Sequence, residues 1–400
     1  MSLLKKFETQ AKTRDGLLEH GILPFGVVTE EILSPAEGIV GGQKTILAGT
    51  NNYLGLTFDP GCIEAAKTAL DEEGTGTTGS RMANGTYGGH VALERELAIF
   101  FDKKHALVFT TGFLATMGMV STLAGRDDVL LIDGDCHASI YDGCRLSGAD
   151  IVRFRHNDAA DLEKRLRRLG DRSHNTLIVV EGLYSMLGDQ APLKEIVALK
   201  EEFGATLLLD EAHSVGLFGQ HGRGLAEAEG VEDKVDFVVG TFSKSLGSVG
   251  GFCVSNHAEL DLVKFAARSY IFTASPTPSV VASTRAALKL VASGDELRTR
   301  LWRNATRLYD GLKAAGFRLG PQAGPVVAVF VDQPDRAIRW WHQLLDEGVY
   351  VNLVIPPATP GNSSLLRCSL SAAHTTVQID QIIAAFAALS ADQHVAESSG

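Results

Sequence analysis

Seven short apolar segments, rich in β-branched residues, alternate with longer stretches of helical periodicity between about residues 105 and 255. This alternation is typical of a parallel sheet whose two faces are covered by helices. It predicts an α/β fold with one large, doubly wound, mostly parallel sheet of seven strands. The predicted strands are Ala106–Thr111, Val129–Ile132, Ile151–Phe154, Leu177–Glu181, Thr206–Leu209, Phe237–Gly240 and Gly251–Ser255.

The pattern changes after about residue 280. A long helical stretch, Ser279–Ala315, precedes the strand-like segment Val326–Val331 and a helix that carries Trp340 and Trp341. We therefore expect three parts. An N-terminal arm and helix cover residues 1–50, a large ligand-binding domain covers 51–280, and a small α+β domain covers 281–400.

Charge and cysteine content exclude several classes of protein. The formal net charge of −11 and the pI near 5.6 give no basic face for nucleic acid. The five cysteines form no CxxC pair and are odd in number, which predicts reduced thiols and a cytoplasmic location. The uncharged stretch Ala106–Gly125 is explained better by a strand and a buried helix than by a membrane span, because glycines and hydroxyl residues dilute it.

The N-terminal segment is predicted to form an amphipathic helix, not a signal peptide, because charged residues soon follow its first apolar ones. The residues on or near its apolar side are Leu3, Leu4, Phe7, Ala11 and Leu18.

A glycine-rich segment, Gly74–Gly79, matches the dinucleotide-binding pattern G-x-G-x-x-G. Its context argues against a nicotinamide site, because Ile63–Glu73 before it is helical in pattern whereas the fingerprint follows a strand. The six glycines of residues 74–89 are then explained by a backbone that approaches a ligand or a neighbouring subunit, or by a surface loop.

An apolar strand stops at an acidic residue in the sequence Leu207–His213. Ligands of open parallel sheets bind beyond the carboxyl ends of the strands, so Asp210 and His213 are predicted to face a cleft. A carboxylate there can pair with the protonated ring nitrogen of a heteroaromatic cofactor. The structural alternative for an isolated Asp at a strand end is a helix N-cap.

The next strand ends in Thr241 and Ser243 beside Lys244, and Gly247 follows. This sequence fits a site in which hydroxyl groups hold a phosphate next to an amine that forms an imine. A phosphate-binding loop of the Walker A type is excluded because its glycine spacing is missing. A solvent-exposed Ser-Lys-Ser turn is the alternative.

Two more strand ends carry related groups. Gly112 and Phe113 follow the first predicted strand and open a helix, whose N-terminus can bind phosphate. His137 follows the second strand and places an imidazole near the same edge. A lone His is more often structural, but four strand ends with matched chemistry indicate one cofactor site.

The order His137, Asp210-x-x-His213, Lys244 resembles the fold-type I pyridoxal-phosphate (PLP) enzymes, and more narrowly the α-oxoamine synthase family. The similarity extends from about residue 20 to 385. Within the family, Glu181–Asp189, Phe272–Ser275 and Pro356–Pro360 leading to Leu366–Ser369 most resemble the bacterial serine palmitoyltransferases.

The resemblance implies roles for individual residues. Lys244 would bind the cofactor aldehyde as an imine and move the substrate Cα proton, and Asp210 would pair with the pyridine nitrogen. His213 and Ser185 would form hydrogen bonds with the ring hydroxyl of the cofactor. His137 would stack on the ring and steer the amino-acid carboxylate or the thioester.

Other implied roles concern the phosphate and the substrate. The implied phosphate ligands are Gly112, Phe113, Thr241 and Ser243, with Thr273 and Ala274 of the partner subunit. Asn52 and Arg367 would bind the substrate carboxylate. Asn51 stands where serine-using members often have an aromatic residue, which bears on the shape of the amino-acid pocket.

As a family member, the chain would be a cytoplasmic homodimer with composite active sites. It would condense L-serine with a long-chain acyl-CoA, namely palmitoyl-CoA, and release CoA and CO₂. Two rivals within the family are glycine C-acetyltransferase and 8-amino-7-oxononanoate synthase. A non-catalytic partner subunit is a third alternative, although such relatives lack the lysine that Lys244 supplies. Peripheral membrane contact through the N-terminus is a further expectation.

Overall fold

The computed structural model describes residues 3–19, 21, 23–356, 359 and 363–397, without the side chains of 390–397. Pro357, Ala358 and Pro360, which contribute to the resemblance, lie outside the described residues. The strands of the described part are β1 (Thr29–Ser34), β2 (Glu37–Val40), β3 (Gln43–Leu47), β4 (His105–Phe109), β5 (Val129–Asp133), β6 (Asp150–Phe154), β7 (Thr176–Glu181), β8 (Thr206–Asp210), β9 (Phe237–Thr241), β10 (Gly251–Ser255), β11 (Val326–Val331), β12 (Val349–Tyr350), β13 (Asn352–Val354) and β14 (Ser364–Ser369).

The helices of the same ranges include four short 3₁₀ turns, at Leu3–Phe7, Leu56–Phe58, Gly170–Asn175 and Glu232–Lys234. The α-helices are α1 (Glu8–Leu18), α2 (Pro60–Glu73), α3 (Gly88–Phe100), α4 (Gly112–Leu123), α5 (Ala138–Ser147), α6 (Ala159–Leu169), α7 (Leu193–Phe203), α8 (Leu225–Ala228), α9 (Leu260–Val263), α10 (Arg268–Ile271), α11 (Pro278–Ala292), α12 (Asp295–Ala314), α13 (Pro334–Asp346) and α14 (Thr376–Glu397). Within these ranges no helix combines the length and the apolar character that a bilayer span requires.

The chain forms two compact units. The larger unit comprises residues 54–185 and 189–298, and the smaller unit comprises residues 1–53, 186–188 and 299–400. The domain boundaries expected near residues 50 and 280 stay a prediction.

The seven-stranded sheet lies in the larger unit and confirms the expected α/β fold. Its strand order is β4-β10-β9-β8-β7-β5-β6, and β10 runs antiparallel to both neighbours while β5 to β9 run parallel. Every residue of β5, β7, β9 and β10 is buried, as expected for strands covered on both faces. Because β4 also runs in the direction of β9, the carboxyl ends of six strands meet at one edge.

Helix α4 covers one face of this sheet, and its apolar side chains explain the long uncharged stretch of the sequence. Ala115, Met119 and Val120 are buried against strand residues such as Leu130 and Val239. The stretch is therefore a strand followed by a core helix. Helix α2 likewise confirms that the residues before Gly74 are helical.

The smaller unit contains two sheets. One has the order β1-β2-β3-β12, and the other is the antiparallel sheet β11-β14-β13. Strand β11 coincides with the predicted Val326–Val331. Trp341 of α13 is buried, and its indole N–H donates to the Val351 carbonyl at 2.8 Å.

Two helical predictions need correction. The stretch Ser279–Ala315 is two helices, α11 and α12, because the chain turns at Ser293 and Gly294. The N-terminal helix is a 3₁₀ turn followed by α1, and its buried apolar residue is Leu17. The apolar residues predicted for one side are mostly exposed: Leu3 by 77%, Leu4 by 69% and Phe7 by 53%.

Candidate active site

A cleft of about 300 Å³ opens in the larger unit at the carboxyl edge of its sheet. Eight of the predicted site residues line it, so the structure brings the matched strand ends together as expected. They are Gly112, Phe113, His137, Asp210, His213, Thr241, Ser243 and Lys244. Its other lining residues include Thr116, Ser139, Glu181, Ala212 and Gly250.

One end of the cleft is formed by the N-terminus of α4 and the end of β9. Thr111 caps α4 by accepting the Leu114 N–H at 3.1 Å, and the helix begins at Gly112. A Cβ added at Gly112 would lie 2.6 Å from the Thr241 Cβ, so only glycine fits there. The Thr241 and Ser243 hydroxyls lie 2.8 Å apart. Helix N–H groups and two hydroxyls suit a phosphate.

Asp210, the last residue of β8, is held by two hydrogen bonds. Its Oδ2 accepts the Thr116 hydroxyl at 2.9 Å, and its Oδ1 accepts the Ala212 N–H at 2.9 Å. Both donors fix the orientation of a carboxylate that is 6% exposed. The structure therefore supports an oriented acid at the cleft floor rather than a helix N-cap, and it adds Thr116, which the sequence reasoning missed.

His137 is held in one tautomer by Ser139. The Nδ1 atom accepts the Ser139 N–H at 3.2 Å and lies 2.8 Å from the Ser139 hydroxyl. Partial burial lowers the pKa of His137, the nearby Asp210 raises it, and Lys244 lowers it further. The imidazole is then neutral with its proton on Nε2, which makes that nitrogen a hydrogen-bond donor.

Glu181 is a second buried carboxyl group beside Asp210. The two residues are paired in the register of β7 and β8, so their side chains lie on the same face of the sheet. The Glu181 Oε1 accepts the His137 N–H at 2.5 Å. Burial raises the pKa of Glu181 well above its usual value, and Asp210 raises it further. The raised pKa favours the neutral form of the Glu181 carboxyl group.

Glu181 was missed as a site residue although the sequence carries a signal for it. Like Asp210, it is an acid that ends an apolar strand. An acid at the end of β7 indicates a site residue only when β7 and β8 are known to be neighbouring strands.

Five predicted site residues are not among the described residues that line the cleft: Asn52, Ser185, Thr273, Ala274 and Arg367. The Ala274 carbonyl accepts the Thr110 hydroxyl at 2.6 Å, beside the start of α4. The next residue, Ser275, donates its N–H to the Gly79 carbonyl and its hydroxyl to the Gly85 carbonyl. The glycine-rich loop thus anchors the segment that carries Thr273 and Ala274.

Arg367 lies in the smaller unit and is 5% exposed. Its guanidinium donates to the Asn51 Oδ1 at 3.3 Å and to the Ser369 hydroxyl at 2.6 Å. Asn51, which departs from the family pattern, is therefore a direct partner of this guanidinium. Carboxylate binding by Asn52 and Arg367 stays a prediction.

Comparisons with known proteins identify the family of this chain. The family described as Aminotransferase class I and II matches residues 43–386. The chain belongs to this family. Two relatives are serine palmitoyltransferases. The enzyme of Caulobacter vibrioides is 56% identical over 99% of this chain and 98% of its own length. The enzyme of Sphingomonas paucimobilis is 51% identical over 96% of this chain and 92% of its own.

A solved structure of a serine palmitoyltransferase with a PLP internal aldimine has the same fold as this chain. It superposes with a TM-score of 0.95 and 50% identity, over 97% of this chain and 98% of that one. An 8-amino-7-oxononanoate synthase of Geotalea daltonii is less similar, at 41% identity over 87% of this chain and 89% of its own.

The cleft of this family member fits PLP on its own chemistry. The α4 N-terminus with Thr241 and Ser243 provides phosphate donors at one end. Asp210 provides an oriented anion for a protonated ring nitrogen, and Lys244 provides an amine in the same cavity. These three features match the three polar parts of the cofactor.

Proposed function

We propose that this protein is a PLP-dependent serine palmitoyltransferase, with the reaction L-serine + palmitoyl-CoA → 3-ketodihydrosphingosine + CoA + CO₂. The observation that carries the proposal is the convergence of Lys244, Asp210 and His137 in one cleft of a chain 56% identical to such an enzyme over nearly its whole length. In the reaction the serine Cα bonds to the acyl carbonyl carbon, and the bonds to the thiol sulfur and to the serine carboxylate break.

PLP, when bound, supplies an electron sink that stabilises negative charge at the substrate Cα. The larger unit holds it at two ends. Gly112 with Thr241 and Ser243 binds the phosphate, and Asp210 keeps the ring nitrogen protonated. Thr116 and Ala212 hold Asp210 in the orientation that this task needs. His213, 6% exposed in the same cleft, is assigned to the ring hydroxyl together with Ser185.

Lys244 and His137 handle the protons and the substrate. Lys244 would hold the cofactor through Nζ, and the same amine would accept the substrate Cα proton. It must be neutral for that step. The neutral His137 would stack on the ring and would donate its Nε2–H to the substrate carboxylate or to the thioester oxygen. The Ser139 contact, which leaves the proton on Nε2, supports this assignment.

The amino-acid substrate is tested by adding L-serine to the purified yellow holoenzyme. L-Serine is expected to shift the visible absorption of the cofactor far more than glycine, L-alanine or L-threonine at equal concentration. Glycine or L-alanine giving the larger response would favour glycine C-acetyltransferase or 8-amino-7-oxononanoate synthase instead. No response to L-serine would refute the serine assignment.

The acyl donor is tested by measuring CoA release with acetyl-CoA, pimeloyl-CoA and palmitoyl-CoA in the presence of L-serine. Palmitoyl-CoA is expected to give the highest kcat/KM. A preparation that binds the cofactor but releases no CoA with any of the three would instead support a non-catalytic partner subunit.

The proposal includes a homodimer with composite active sites. Exposed apolar side chains surround the cleft mouth and the neighbouring segment: Phe113 is 40% exposed, Val249 is 52% and Phe272 is 71%. A second copy would bury them, and it would bring Thr273 and Ala274 of the partner subunit to the phosphate. Sedimentation equilibrium of the holoenzyme should give twice the chain mass of 42.7 kDa. A monomer with full activity would contradict this part.

We assign the enzyme to the cytoplasm, which the five buried free cysteines support. Peripheral membrane contact through the N-terminus is supported by exposed Leu3, Leu4 and Phe7 beside Lys5 and Lys6. Replacing Leu3, Leu4 and Phe7 by Ser should reduce co-sedimentation with vesicles that contain anionic lipid. Unchanged co-sedimentation would argue against contact at this segment.

A further inference from the structure

A partly buried histidine outside the cleft bridges two carboxylates from different segments. His156 follows β6, and its Nδ1 lies 2.8 Å from the Asp133 Oδ1 while its Nε2 lies 2.6 Å from the Asp189 Oδ2. The side chain of His156 is 22% exposed, that of Asp133 is 1% and that of Asp189 is 13%. None of the three lines the cleft.

Both ring nitrogens of His156 must donate to keep these two bonds. A neutral imidazole carries one N–H, so two carboxylate acceptors require the imidazolium form. The groups that face the ring are Asp133 at the end of β5, Asp135 just after it, and Tyr184 and Asp189 after β7. The Asp135 Oδ2 is 4.0 Å from Nδ1, and the centroids of the Tyr184 and His156 rings lie 4.5 Å apart with the rings nearly perpendicular. Hydrogen bonds to Asp133 and Asp189 outweigh burial and raise the pKa of His156 to about 10.

The first bridged carboxylate belongs to the loop that carries His137. Asp133 ends β5, and its Oδ1 also accepts the Asp135 N–H at 2.8 Å. Its Oδ2 accepts the Asn157 N–H at 2.8 Å. The backbone from residue 133 to 137 is therefore fixed at one end by Asp133 and at the other by the His137 N–H bond to Glu181.

The second carboxylate belongs to the loop that carries Ser185. The Asp189 carbonyl accepts the Tyr184 N–H at 2.9 Å, and Leu183 forms a bridge with Gln190, so the loop is closed at its base. The Asn157 side chain donates to the Asp189 Oδ2 at 2.8 Å and to the Gln190 carbonyl at 3.1 Å. Residues 156 and 157 thus tie this loop to the end of β5.

We propose that His156 is a positioning residue that remains an imidazolium and, by bridging Asp133 and Asp189, sets the spacing between the His137 loop and the Ser185 loop. This inference rests on the proposed function, because His137 and Ser185 are the residues assigned there to the cofactor ring. Losing the bridge leaves two buried carboxylates that repel each other, and the two loops separate.

The main variant is His156→Gln, which removes the charge and one of the two donors. The holoenzyme should still attach the cofactor to Lys244, but its visible circular dichroism band should change, because that band reports the surroundings of the ring. Turnover should fall about 10- to 100-fold, since a misplacement of about 1 Å has effects of that size. The matched control is His105→Gln, which breaks the surface His105–Asp261 contact of 2.8 Å at the opposite edge of the sheet and should change neither readout.

A second variant, Asp189→Asn, keeps an acceptor for Nε2 but removes one charge. It tests the bridging role of His156 in case His156→Gln folds poorly. This variant should lower the pH at which His156 loses its proton. That titration is measured by NMR on protein labelled with ¹⁵N-histidine. In the wild type the folded-state pKa is raised, so the stabilisation by His156 is complete below the unfolded pKa near 6.5 and is lost as pH rises through about 10. The melting-temperature advantage of the wild type over His156→Gln should therefore shrink across that window.

Two results would overturn the inference. One is a neutral wild-type His156 at pH 8. The other is a His156→Gln enzyme with lower melting temperature but normal turnover and normal circular dichroism, since a merely structural role predicts that combination. Failure of the proposed function looks different, because the wild type itself would then not respond to L-serine.

Discussion

Lys244→Ala is expected to lower the turnover of L-serine and palmitoyl-CoA by about 10³-fold or more. Among the described residues that line the cleft, Lys244 is the one with an amine side chain. The variant loses both the covalent attachment of PLP and the group that moves the Cα proton, and proton transfer by a positioned side chain contributes about 10²- to 10⁴-fold by itself. The measurement is CoA release under single-turnover and steady-state conditions.

The control for this prediction is Lys194→Ala, which removes a lysine from an exposed ion pair with Glu229 at 2.8 Å. Exposed pairs contribute little to stability, so this variant should match the wild type. A small primary amine in solution is expected to restore part of the activity of Lys244→Ala. More than about a tenth of the wild-type turnover in Lys244→Ala without added amine would exclude the assigned role.

Asp210→Asn should lower turnover by at least about 100-fold while the cofactor still binds Lys244. An opposite charge within a few ångströms shifts a pKa by about one to three units, so removing it lets the ring nitrogen lose its proton near neutral pH. The electron sink is needed for proton removal and again for decarboxylation, so its loss acts twice. The measurement is kcat together with the visible absorption spectrum between pH 6 and 9.

Thr116→Val is the matched variant for Asp210→Asn. It removes the hydroxyl that donates to the Asp210 Oδ2 at 2.9 Å but keeps the charge. One hydrogen bond to a charged group is worth about 1.5 to 3 kcal/mol, so the loss of turnover should be smaller than for Asp210→Asn. Equal losses in the two variants would mean that the Asp210 charge has no role beyond its hydrogen bonds.

The fold was largely predictable because the central strands are buried on both faces. Each of the seven predicted strands overlaps an observed one, and Gly251–Ser255 agrees at both ends. The break between α11 and α12 was missed, although Ser293-Gly294 is a turn signal, because apolar periodicity resumes directly after it. The surroundings of Leu3 and Leu4 were unpredictable, since periodicity shows which residues share a side but not whether anything packs on it.

The site was predictable where chemistry coincides with a strand end. Asp210, Thr241 and His137 stand at or soon after the ends of apolar strands, so their meeting at one edge follows from parallel topology alone. Glu181 and Thr116 required knowledge of neighbours. Glu181 gains its meaning from the β7–β8 register, and Thr116 from the packing of α4 under the end of β8. His156 depends on contacts with residues 23 and 33 positions away, which no local pattern reveals.

In the proposed enzyme the Lys244 amine holds the cofactor covalently while the Asp210 carboxylate keeps the cofactor ring charged. Borohydride reduction of the yellow holoenzyme, followed by digestion and peptide mass mapping, tests it most directly. One phosphopyridoxyl group per chain is expected, located on the peptide that contains Lys244. A phosphopyridoxyl group on another lysine, or no modified peptide, would contradict it.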